Sequence, residues 1–195
     1  MPSIDVRKRQ IGAKIVYYGP GLSGKSTNLR CIQNGLGHEN RGRLAALAVK
    51  GTTGIYIDVL PVRFGKVMGF DVAYNLCTVP GQAMADNVRR LVLKGADGVV
   101  FVADSGQERM VANLDALENL QENLEQNHLR LEDMPHVMQY NKRDLPNALP
   151  VAELRSKLNL YGVLEFEAVA ATGRGVMETL KAMLELVRDG IVERL

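Results

Sequence analysis

Residues 19 to 27 read GPGLSGKST, in which Gly19, Gly24, Lys25 and Ser26 match the spacing G-x-x-x-x-G-K-[ST]. Each position has a chemical reason. Glycines let the backbone wrap closely around an anion and aim its N–H groups at phosphate oxygens. A helix beginning at the end of the loop adds a favourable dipole. Lys25 carries a point charge for the β and γ phosphates, and Ser26 offers a hydroxyl to Mg²⁺. Gly19, Gly21, Leu22, Ser23, Gly24, Lys25, Ser26 and Thr27 are therefore the candidate phosphate-binding residues.

Such a loop does not choose the base, because ATPases and small-molecule kinases share it. The choice comes from YNKRDL at 140 to 145. A carboxylate at Asp144 can accept hydrogen bonds from guanine N1 and N2, a pattern adenine cannot supply. Lys142 can lie along the base, and Asn141 can tie the loop together. Alone, Asn141-Lys142-Arg143-Asp144 reads as a solvated polar turn; beside a phosphate loop at the ends of parallel strands it favours guanine. In AVAAT at 168 to 172, the backbone N–H groups near Ala170 and Ala171 are placed to meet guanine O6. A kinase for a small metabolite is the competing reading, and Asp144 counts against it.

These loops need strands and helices to hold them. Apolar runs AKIVYY (13 to 18), GVVFVA (98 to 103), HVMQY (136 to 140) and FEAVA (166 to 170) alternate with helical patterns, which predicts βα units on a parallel sheet. GIYIDVLPV and GFDVAYNLCTV, joined by RFGKVM, predict a hairpin that adds an antiparallel strand at the sheet edge. Met110, Leu114, Leu117, Leu120 and Leu124 form one helical stripe in 107 to 127, and a second stripe runs through 176 to 191. Shorter helices are expected over 25–35, 84–94 and 151–158.

Bulk composition narrows the classes further. The 195 residues, 46% hydrophobic and 24% charged with net charge +2, predict a single α/β domain over 1–195 and offer no electrostatic case for nucleic acid. Cys31 and Cys77 are too few for a disulfide framework. The polar start MPSIDVRKRQIG lacks a signal-peptide core, and neither end carries a lipidation motif. A cytoplasmic chain with no direct membrane anchor is expected, one that reaches membranes or cell poles through partners. His38, His128 and His136 show no metal or triad spacing.

The order of phosphate loop, hairpin, PGQ, NKRD and AAT resembles a Ras-like small GTPase. More narrowly, KIVYYGPGLSGKSTNL, TVPGQ, LKGADGVVFVADS and QYNKRDLPNA resemble the bacterial MglA-type subfamily, which governs cell polarity and gliding motility. The resemblance implies a P-loop fold with a mixed sheet of about six strands, one of them an antiparallel hairpin strand at the edge, flanked by about five helices. It implies GTP/GDP and Mg²⁺ as ligands. Its partners would be an MglB-like roadblock homodimer as GTPase-activating protein and polarity or motility effectors.

The same resemblance assigns roles around CTVPGQ at 77 to 82. Gly81 would donate its N–H to the γ-phosphate, and Gln82, with Lys25, would be catalytic, Gln82 by orienting the attacking water. Thr78 stands where most small GTPases carry an aspartate, a substitution characteristic of MglA-type proteins. Ser26 is the expected metal ligand, with Thr52, Thr53 and Thr78 as further candidates. MglA-type relatives carry a segment like T-D-R-T before the hairpin, whose arginine serves as a built-in finger. Here KGTTG occupies that place, and no arginine lies between Arg43 and Arg63. Slow, partner-dependent hydrolysis is expected; the alternative is a hydrolysis-deficient scaffold that holds GDP or GTP.

Overall fold

The computed structural model describes residues 2–49, 54–81 and 85–193. In chain order the elements are β1 (Ser3–Asp5), β2 (Gln10–Tyr18), α1 (Lys25–Gly35), β3 (Ala45–Ala48), β4 (Tyr56–Val67), β5 (Phe70–Thr78), α2 (Asp86–Leu93), β6 (Gly98–Asp104), α3 (Met110–Glu125), β7 (His136–Asn141), α4 (Val151–Leu158), β8 (Glu165–Glu167) and α5 (Val176–Val192). They form one mixed sheet in the order β3-β4-β5-β2-β6-β7-β8, with β1 paired to β2.

Strand periodicity explains how the sheet is covered. On β2, Ile15 and Tyr17 face the layer that holds Leu29 and Ile32 of α1 and Val176, Leu180 and Met183 of α5. Val16 and Tyr18 face the opposite layer, with Val88 and Val92 of α2, Leu117, Leu120 and Leu124 of α3, and Leu154 and Leu158 of α4. Two apolar cores of this kind require central strands hydrophobic on both sides, and every residue of β6 and β7 is buried.

Several expectations are corrected. The sheet among the described residues has eight strands rather than six. The extra two, β1 and β3, are short and largely exposed, and they form by backbone pairing to β2 and β4; β3 is apolar, AALA, but its residues do not alternate with polar ones. The antiparallel character is also wider than one hairpin strand, because β1 runs against β2 and β4 runs against both β3 and β5. The hairpin turn is not RFGKVM. β4 continues to Val67 across an irregularity between Arg63 and Lys66, and the chain reverses at Met68 and Gly69, both at positive φ (49° and 80°). A two-residue hairpin turn of that hand matches the twist of its strands. In α3, Leu114 is exposed while Met110, Leu117, Leu120 and Leu124 are buried, so the core stripe is narrower than its spacing suggested.

Helix α5 lies against the sheet where β6 begins. A Cβ at Gly98 would stand 2.6 Å from Met183 Cε and 2.8 Å from Val187 Cγ2. The Met183 tip can swing aside, but Val187 is stiff at χ1. Gly98→Val is therefore expected to lower the unfolding free energy by about 1–3 kcal/mol, read from urea denaturation, because it overpacks a filled layer.

Candidate nucleotide-binding site

The loop after β2 is built for close backbone approach. Gly19 and Gly24 adopt φ of 137° and 104°. A Cβ on Gly19 would come within 2.2 Å of the Val102 carbonyl oxygen, and one on Gly24 within 2.2 Å of Asn141 Nδ2. Side chains are excluded at both ends of the loop. At its exposed tip Leu22 also has positive φ, 66°. The backbone then enters α1 at Lys25, as expected from the sequence.

Lys25 is buried, and its Nζ donates to the carbonyl oxygens of Gly19 (2.9 Å) and Pro20 (2.6 Å). Burial, with the Arg89 and Arg109 guanidiniums adding to it, pulls the Lys25 ammonium down to about 8. A cavity of about 450 Å³ opens beside it, lined by Gly24, Lys25, Ser26, Thr27, Thr78 and Gly81, among others. Gly81 presses directly on the loop: a Cβ there would lie 2.5 Å from Gly21 Cα.

The base-recognition candidates sit at the adjoining strand ends. Asn141 closes β7, and its side-chain amide donates to the Ser23 carbonyl (2.7 Å) while its Oδ1 accepts from the Ala170 N–H (2.9 Å). β8 stops at Glu167 instead of running to 170: the Ala168 N–H still donates to the Tyr140 carbonyl, but the Val169 N–H turns to the Arg174 carbonyl and that of Ala170 to Asn141. Lys142, at φ 62°, donates to Asp104 Oδ2 at 2.6 Å. A cavity of about 240 Å³ is lined by Leu22, Gly24, Thr27, Asn141, Lys142, Asp144, Ala170 and Ala171. Asp144 is exposed at its rim, where an incoming ligand can reach the carboxylate. Gln82, Thr52 and Thr53 lie outside the described residues.

Two cavities that share Leu22, Gly24 and Thr27 as lining, one with Lys25, Ser26 and Thr78 and the other with Asn141, Lys142 and Asp144, suit a purine nucleotide di- or triphosphate. Comparison with known proteins decides the family. The model of the ADP-ribosylation factor family matches residues 5–187. The chain belongs to the ADP-ribosylation factor family. It is 50% identical over 187 residues, 96% of each chain, to the mutual gliding-motility protein MglA of Myxococcus xanthus (strain DK1622). As a member of the ADP-ribosylation factor family the chain is a small GTPase, and its nucleotide is a guanine nucleotide.

Three residues at this GTPase site were not read from the sequence. Asp58 on β4 lines the phosphate cavity, and its backbone N–H donates to Thr78 Oγ1 at 3.0 Å. The hairpin register does this: Val59 pairs with Cys77, which brings the neighbours Asp58 and Thr78 together. A lone carboxylate in the apolar run GIYIDVLPV was the available signal. Asp104, almost fully buried at the end of β6, and Arg109, just before α3, also reach the nucleotide loops. Nothing in their local sequence distinguishes them from structural polar residues.

With Lys25 in its expected phosphate-binding role, its lowered pKa would make nucleotide binding pH-dependent. Below about pH 8 the empty protein already carries the ammonium that phosphates require. Above it the complex, in which phosphates restore the ordinary lysine range, must take up a proton. GDP affinity is expected to fall by up to about tenfold between roughly pH 8 and pH 9. Calorimetry in two buffers of different ionisation enthalpy measures the proton uptake directly, and pH-independent binding with no uptake would contradict it.

Proposed function

We propose that the chain is a Mg²⁺-dependent GTP/GDP switch of the cytoplasm, working as one domain over 1–195 and controlling cell polarity or motility. The observation that carries this reading is the Asn141 side chain, which holds the phosphate loop at Ser23 and the 168–171 loop at Ala170 in one hydrogen-bonded unit. The likeness to a protein named for gliding motility supports the cellular role. No helix among the described residues is long and apolar enough to cross a membrane, in keeping with recruitment through partners. Those partners are proposed to be a roadblock-type homodimer that activates hydrolysis, and polarity or motility effectors; nucleic acid is not among them.

In the proposed mechanism Lys25 and the loop N–H groups from Gly19 to Thr27 hold the β and γ phosphates. Asn141, Lys142, Asp144, Ala170 and Ala171 hold the guanine. Gly81 donates to the γ-phosphate and Gln82 orients a water, which attacks the γ-phosphorus as the bond to the bridging oxygen breaks, giving GDP and phosphate.

Residues suited to Mg²⁺ are present. Ser26, Thr78 and Asp58 place hard oxygen donors around one cavity. No cluster of three or more His, Cys, Asp or Glu side chains occurs among the described residues, so most of the ion's charge compensation falls to the nucleotide phosphates. When bound, the ion neutralises charge shared between the β and γ phosphates. Asp58 is proposed to supply the carboxylate that Thr78 lacks, with Thr52 and Thr53 as further hydroxyl candidates.

Single-turnover GTP hydrolysis with Mg²⁺, with and without a roadblock-type dimer, tests the reading. Turnover that the dimer accelerates supports it, whereas retained GTP with no turnover under either condition overturns it in favour of a scaffold. In the same assay Thr53→Arg is expected to raise the intrinsic rate at least about tenfold, as restoring a finger should. Asp58→Asn is expected to raise the Mg²⁺ concentration for half-maximal rate about tenfold, equivalent to about 1.4 kcal/mol of lost ion affinity. An unchanged Mg²⁺ titration would remove Asp58 from the metal site.

A further inference from the structure

Charge is distributed unevenly around the phosphate loop. A cavity of about 610 Å³ on the side of the loop facing α2 and α3 is lined by Gly21, Leu22, Gly81, Arg89, Arg109 and Asp115, among others. The two arginines in it differ. Arg89 is paired with Asp86 on its own helix and reaches the Pro80 carbonyl at 3.4 Å. Arg109 shares its carboxylate. Asp104 accepts from Lys142 at 2.6 Å and stands 3.5 Å from Arg109 Nε, so a single buried carboxylate serves two cations.

The remaining contact of Arg109 shows where its charge acts. Its guanidinium donates to the Gly21 carbonyl at 2.7 Å. No cis peptide bond occurs among the described residues, so the N–H of Leu22 points opposite to that carbonyl. That N–H points away from Arg109, and Leu22 borders the phosphate cavity together with Lys25 and Ser26. A charge-assisted hydrogen bond to a peptide oxygen polarises the whole amide and strengthens its N–H as a donor. It also fixes the plane of a peptide whose following residue sits at positive φ.

We propose that Arg109 is a positioning residue for GTP hydrolysis: through the Gly21 carbonyl it orients and polarises the Leu22 N–H against the charge that grows on the leaving diphosphate. The inference rests on the chain's being a GTPase. It gives this chain a fixed positive charge in the α3 half of the molecule, in a sequence that has no arginine between Arg43 and Arg63. Donors aimed at developing charge raise rate more than ground-state affinity, because they are strongest in the transition state.

Single-turnover GTP hydrolysis by the native chain, Arg109→Ala and Arg109→Lys tests the proposal, with GDP affinity, thermal unfolding and the Leu22 amide NMR resonance in the GDP–aluminium fluoride complex measured for each. Arg109→Ala is expected to lower the rate about 10–100-fold while GDP affinity changes less than about threefold. The Leu22 amide proton should shift upfield as its bond weakens, and Arg109→Lys should recover part of both effects. Equal losses of rate and GDP affinity with no Leu22 shift would make Arg109 a loop brace and overturn the proposal, as would a rate within about threefold of native. Arg109→Lys keeps the test informative if the alanine variant melts early. Failure of the native chain itself to hydrolyse GTP would instead reject the switch reading, a separate outcome in the same assay.

Discussion

The nucleotide site depends on one side-chain amide. Asn141 stands at the end of β7 with a donor and an acceptor pointing to opposite sides, one to the carbonyl of Ser23 and the other to the N–H of Ala170. Both partners are backbone groups in loops that cannot satisfy each other, and both bonds are buried, where a lost partner costs about 1–3 kcal/mol. The loop after β2 and the loop after β8 are therefore held in register by a group belonging to neither. Gly24 is part of the same arrangement, since any Cβ there would displace the Asn141 amide.

Around that amide the site divides into a fixed half and a half built from the hairpin. The fixed half rests on β2, β6 and β7, whose apolar faces are covered on both sides by helices. Asp104, at the end of β6, extends the connection by joining Lys142 of the base loop to Arg109, which holds the Gly21 carbonyl. In the proposed reading, a base seated against Lys142 and a phosphate seated against Gly21 would share one buried carboxylate. The other half enters through β4 and β5, where Asp58 and Thr78 meet across the hairpin, and through Gly81, which rests on Gly21.

This division also explains what could be read from the sequence. GPGLSGKST and NKRD stand out because the residues proposed for each job lie a few positions apart, so the chemistry fixes the spacing. The central strands were legible because burial on both faces leaves long apolar runs. Asp58 was not, since its meaning comes from a hairpin register that places it opposite Thr78, and register is a long-range property. Arg109 and Asp104 were missed for the same reason: each is an ordinary polar residue until β2, β6 and β7 are side by side. β1 and β3 are short exposed strands held by backbone bonds; SID is too short to establish an alternation, and the alanine-rich AALA lacks the alternation and β-branched content that mark a strand.

The absence of a carboxylate at Thr78 looks different once the hairpin is in place. A threonine at this position accepts the Asp58 N–H, and an aspartate there would set two carboxylates against each other beside the same cavity. Threonine keeps the oxygen and the hydrogen bond while leaving the negative charge to β4. The carboxylate thereby moves from the strand that leads into PGQ to the strand that follows the KGTTG segment. In the proposed arrangement the hold of Asp58 on the cation would depend on how closely β4 stays paired with β5, through the bond between Asp58 and Thr78. Under that proposal metal affinity would be tied to the hairpin register, and a shift of β4 along β5 would withdraw the carboxylate without disturbing the phosphate loop or the base loop.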